Sequence, residues 1–142
     1  MKYAVILFFF FTLNLSAATV LLEKHATSGY VLPEDSFVKD CQIFREGSVE
    51  SYTKKGDGTI IGFSKMVPRY EIWEIRQLLR LARRAPIADG GVICDAGNLA
   101  VTGHFARKPV LIVERKDCMS YKFRQGWASR RLQRIASQLC AF

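Results

Sequence analysis

The sequence predicts an α+β fold: a largely antiparallel sheet of about five to six strands, two packed α-helices and two disulfides. Three observations carry this. Short segments alternating apolar and polar residues are joined by Gly-containing turns too tight for a parallel crossover. Two longer segments, 69–84 and 127–139, repeat apolar residues at the helical period. Four cysteines, Cys41, Cys94, Cys118 and Cys140, follow an apolar leader. In a chain delivered to an oxidising space, an even cysteine count reads as a disulfide framework, and the spacing leaves the pairing open.

Residues 1–18 read as a signal peptide. Lys2 precedes an apolar run from Ala4 to Leu13, and Ser16-Ala17-Ala18 supplies the small residues of a cleavage site. The run is about half the roughly 20 residues needed to span a bilayer, so a removed leader is expected, with no integral membrane segment after it. The expected destination is periplasmic or extracellular. Residues 19–36 hold Gly29 and Pro33 and show weak periodicity, which predicts an irregular N-terminal arm with a short strand at its start. A single disulfide-stabilised domain is expected over 37–142.

Strands are predicted over 37–44, 49–53 and 59–67, joined through Glu46-Gly47-Ser48 and Lys55-Gly56-Asp57-Gly58. Pro68 and Pro86 bracket the first helix, 69–84, whose stripe is Ile72, Ile75, Leu78, Leu79 and Ala82. Glu71 and Glu74 near its start and Arg80, Arg83 and Arg84 at its end suit the helix dipole. A loop through Asp89-Gly90-Gly91 should lead to Val92-Ile93-Cys94, a turn at 95–98, a strand over 99–105 and a buried strand over 110–113. Met119, Tyr121 and Phe123 alternate with Ser120, Lys122 and Arg124 as in a short strand, yet the same residues fit a backward extension of the last helix to Ser120. That helix, 127–139, turns Ala128, Leu132, Ile135, Ala136 and Leu139 inward and Arg130, Arg131 and Arg134 outward. The order, strands then a helix in each half, is compatible with an old duplication, but no residue-level repeat is read from the halves.

Charge is distributed unevenly. The chain carries a formal +8; residues 19–104 hold eleven basic and eleven acidic groups, whereas 105–142 hold nine basic groups against Glu114 and Asp117. This asymmetry points to an anionic partner: a glycan, nucleic acid, lipid surface or acidic protein. Within 121–131 aromatic residues interleave with cations. Tyr121, Phe123 and Trp127 are candidate stacking faces; Lys122, Arg124, Ser129, Arg130, Arg131 and Arg134 are candidate anion contacts, helped by the free N–H groups of a helix starting near Trp127.

Catalytic and cofactor signatures are not found. Gly56-x-Gly58-x-x-x-Gly62 leads into a strand, whereas a phosphate-cradling loop opens a helix. No nucleophile elbow occurs, and the scattered cysteines lack zinc-site spacing. The reading is therefore a non-catalytic binding module without cofactor or metal. Two alternatives accompany it. His25 and His104 could form an acid/base pair in a secreted basic hydrolase of ribonuclease type. Alternatively, Arg83-Arg84-Ala85-Pro86-Ile87 could present a basic side chain as an inhibitor of a secreted protease.

Overall fold

The computed structural model describes residues 19–141, so the expected leader lies outside the described residues. In chain order the elements are β1 (Val20–Thr27), a 3-10 turn (Pro33–Asp35), β2 (Phe37–Phe44), β3 (Ser48–Lys55), β4 (Ile60–Met66), α1 (Arg69–Ala82), β5 (Ile87–Ile93), β6 (Leu99–Phe105), β7 (Lys108–Arg115), β8 (Met119–Arg124) and α2 (Trp127–Leu139). The strands form one sheet, ordered β4-β3-β2-β1-β6-β7-β8-β5, in which every neighbouring pair is antiparallel. The α+β class with two helices stands; the strand count does not, being eight among the described residues.

Two strands account for most of the difference. The stretch expected as an irregular arm supplies β1, which pairs with β2 on one side and β6 on the other. Its periodicity is blurred by a bulge at Val20/Leu22 that turns both Leu21 and Leu22 into the core, and by Lys24, a cation on the covered side. The loop expected through Asp89-Gly90-Gly91 is edge strand β5, bulged between Asp89 and Val92. The ring of Tyr121 lies where a side chain at Gly90 would sit, so the glycine is required by close approach. Residues 119–124 form a strand and not a helical extension: Val113 pairs with Phe123 and Glu114 with Lys122.

Register divides the sheet into two faces. Phe63, Ser51, Cys41, Lys24, Val101, Val113, Phe123 and Ala88 form a continuous cross-strand row on the covered side. The neighbouring row, Gly62, Tyr52, Asp40, His25, Ala100, Glu114, Lys122 and Asp89, takes one residue from each strand and lies on the other face. An antiparallel sheet with one solvated face alternates in this way. Both helices pack over the central strands, and the core joins Ile72, Ile75, Leu78 and Leu79 of α1 and Leu132, Ile135 and Ala136 of α2 to Leu22, Ile43, Val101 and Ile112. Leu79 rests on Gly103, with its Cδ2 in the space an added Cβ would need.

The sulfurs pair as Cys41–Cys140 and Cys94–Cys118. The first ties the end of α2 to β2, and the second ties the end of β5 to the turn before β8.

Candidate anion-binding surface

The helices run antiparallel. Arg131 Nε donates to Glu74 Oε1 at 2.8 Å near the start of α1, and Arg124, just before α2, donates to the carbonyls of Arg83 and Ala85 at its end. With the apolar stripes buried, each helix turns a Trp and two Arg to solvent at the same spacing. Trp73, Arg76 and Arg80 stand at i, i+3 and i+7 of α1; Trp127, Arg130 and Arg134 do so in α2. Residues spaced in this way share one helical face. Trp73 is 62% exposed and Trp127 63%. The antiparallel packing sets the two indoles toward opposite ends of the layer, with the arginines between them. Among the described residues, the ion pairs formed do not engage Arg76, Arg80, Arg130 or Arg134.

The residues singled out from sequence separate in space. Arg130 and Arg134 are exposed on this layer. Arg131 is held by Glu74, whose carboxylate raises the guanidinium pKa through a hydrogen bond and its charge. Ser129 is fully buried and its hydroxyl donates to the Gln125 carbonyl, which places it beyond reach of an external anion. Arg124 is partly buried at the end of the layer. Lys122 lies on the opposite sheet face, between Glu114 and Asp89 on the flanking strands. The aromatic residues divide likewise: Phe123 packs against the core, Tyr121 stacks on it at 5.4 Å, and Trp127 is exposed.

The charge count does not reveal the contribution of α1, because the acidic groups of the first half cancel its arginines. The signal is nevertheless present in the shared Trp-x-x-Arg-x-x-x-Arg spacing. The same spacing is a residue-level similarity between the halves, each of which holds four strands followed by a helix among the described residues.

The uncovered sheet face carries both histidines. His25 Nδ1 lies 2.5 Å from Asp40 Oδ1, and His104 Nε2 lies 3.1 Å from Glu23 Oε1. A hydrogen bond to Asp40, followed by its charge, raises the Tyr52 pKa. Register places His104 beside Gly103, the partner of Leu22, about four residues along from His25; at ~3.3 Å per residue the imidazoles are anchored roughly 13 Å apart. Arg84, the candidate inhibitory residue, leaves α1 through a tight turn directly into β5. No group of three or more metal-ligating side chains occurs among the described residues, and no helix there is long and apolar enough to cross a membrane.

Compared with profiles of known protein families and with curated proteins, the chain matches none.

Proposed function

We propose that this protein is an exported, non-catalytic binding module that holds an anionic macromolecule against its helix layer. The carrying observation is the paired Trp-Arg-Arg rows of α1 and α2, exposed side by side on a rigid, disulfide-tied scaffold. Arginine forks bind phosphate and sulfate oxygens bidentately, and indole faces stack on bases or sugars. Rows on two packed helices form a broad surface, which suits an extended polyanion. Paired cysteines accord with an oxidising compartment.

The test is salt dependence. Binding of a heparin or nucleic-acid oligomer should weaken steeply as salt rises, and each arginine removed from phosphate contact should lower the logarithmic salt slope by about one. Arg130→Ala with Arg134→Ala, or Arg76→Ala with Arg80→Ala, should therefore each flatten the slope. A salt-insensitive interaction, or one indifferent to all four substitutions, would remove the proposal.

A second reading, a basic hydrolase acting on RNA, is favoured by one observation. Asp40 engages both the His25 imidazole and the Tyr52 hydroxyl, an arrangement that orients a general base. It requires turnover of polymeric RNA that is abolished in His25→Ala; absence of turnover in the intact protein eliminates it.

A further inference from the structure

At one end of the helix layer, apart from the Trp-Arg rows, lies a cleft of about 520 Å³ lined by the exit of α1, the β6–β7 hairpin and the end of β8. Its cations are Arg83, Arg84, Lys108 and Arg124, and among the described residues no carboxylate lines it. Arg83 and Arg124 are fixed in place. The Arg83 guanidinium lies over the Phe105 ring at 4.5 Å, where the aromatic face attracts and holds it. Arg124 donates from Nε to the Leu111 carbonyl at 2.8 Å and from Nη1 to the carbonyls of Ala85 at 2.6 Å and Arg83 at 3.2 Å. Those bonds take Nε and Nη1 and leave the two N–H groups of Nη2 for a ligand. Arg84 and Lys108 are exposed and complete the cationic rim, while Phe105 and Pro109 give an apolar wall.

We infer that this cleft binds the terminal phosphate of a phosphomonoester. Two guanidinium groups held by other contacts lose little freedom when an anion arrives, and their remaining charged N–H donors bond strongly to oxyanion oxygens. The charge selects among oxyanions. Four clustered cations remain largely unbalanced by a carboxylate or sulfate ester with one charge, whereas a phosphomonoester carries close to two above its second pKa of about 6. The apolar wall suits the organic part of the ester. The inference shares only the sign of charge with the helix-layer proposal and rests on different residues.

The experiment is a titration of the full mature chain with phenyl phosphate, followed by calorimetry and amide chemical shifts, with phenyl sulfate as the monoanionic control. Phenyl phosphate should saturate with shifts centred on 83–86 and 105–110, and phenyl sulfate should bind about tenfold or more weakly. Affinity should strengthen between pH 5 and 7 as the ligand gains its second charge. Arg84→Ala with Lys108→Ala, both exposed positions, should weaken phenyl phosphate about tenfold or more; Arg84→Gln alone should weaken it less. Arg130→Ala with Arg134→Ala should leave it unchanged, so failure of the helix layer to bind polyanions would not be mistaken for failure of the cleft. A vesicle containing phosphatidic acid distinguishes sources: competition with phenyl phosphate assigns a lipid headgroup, and its absence assigns a soluble ester. Non-saturating shifts, equal affinity for phosphate and sulfate esters, or indifference to the Arg84/Lys108 substitutions would overturn the inference.

Discussion

Lys24 is the one cation that β1 turns toward the helices. Its Nζ donates to Ser137 Oγ at 3.4 Å, a long bond for an ammonium group. Burial, then the neighbouring Lys39 charge, lowers its pKa below the ordinary lysine value. A lowered amine pKa means that the folded protein holds this proton less tightly than the unfolded chain. Below the folded pKa the full cost of the buried charge is present; between that pKa and 10.5 the unfolded chain binds more protons, so stability rises with pH across that window. Lys24→Met should therefore raise the urea midpoint at pH 7, and the advantage over the parent should shrink as pH passes through the window. A gain that is equal at pH 7 and pH 11 would show that added apolar packing, not removal of a penalised charge, is responsible. The same residue explains why β1 was illegible: a polar side chain on the covered face breaks the alternation that reveals a half-buried strand.

Between elements, the seating of α1 on the sheet depends on a missing side chain. Leu79 is fully buried and occupies the space above Gly103, so α1 approaches β6 more closely than any other residue there would permit. Gly103→Ala should cost about 1–3 kcal/mol, the usual range for overpacking a close-packed core. In a Leu79→Ala background the same change should cost much less, and the coupling measured by the double-mutant cycle would locate the clash. Additive effects would place the cost in the strand itself. Helix legibility follows similar lines. The 3.6-residue stripe specifies both helices, with prolines bounding α1 to within two residues and only the start of α2 open back to Ser120, because amphipathic burial is written locally. Edge strand β5 is hidden because Gly90 answers to Tyr121 on another strand, and half of the arginine layer is hidden because charge summed along a segment mixes faces that folding separates.

For the whole molecule, the two disulfides have unequal consequences. Cys41–Cys140 spans 99 residues and joins β2 to the end of α2; Cys94–Cys118 spans 24 and closes a local excursion between β5 and β8. Loop-closure entropy gives about 4–5 kcal/mol for the longer link and about 3 kcal/mol for the shorter. Topology widens the difference, since without the longer link α2 is held to the sheet by packing and the long Lys24–Ser137 hydrogen bond, and to α1 by packing and the Arg131–Glu74 pair. Cys41→Ala with Cys140→Ala should therefore lower the thermal midpoint more than Cys94→Ala with Cys118→Ala. The longer link should also matter for binding. If polyanions sit across both helices, loosening the end of α2 disturbs the spacing of Arg130 and Arg134 against Arg76 and Arg80, and affinity should fall well below the melting transition. The Cys94/Cys118 variant, whose link lies away from the helices, should bind as the parent does. Equal loss of affinity in both variants would detach binding from helix spacing and move the contact surface off this layer.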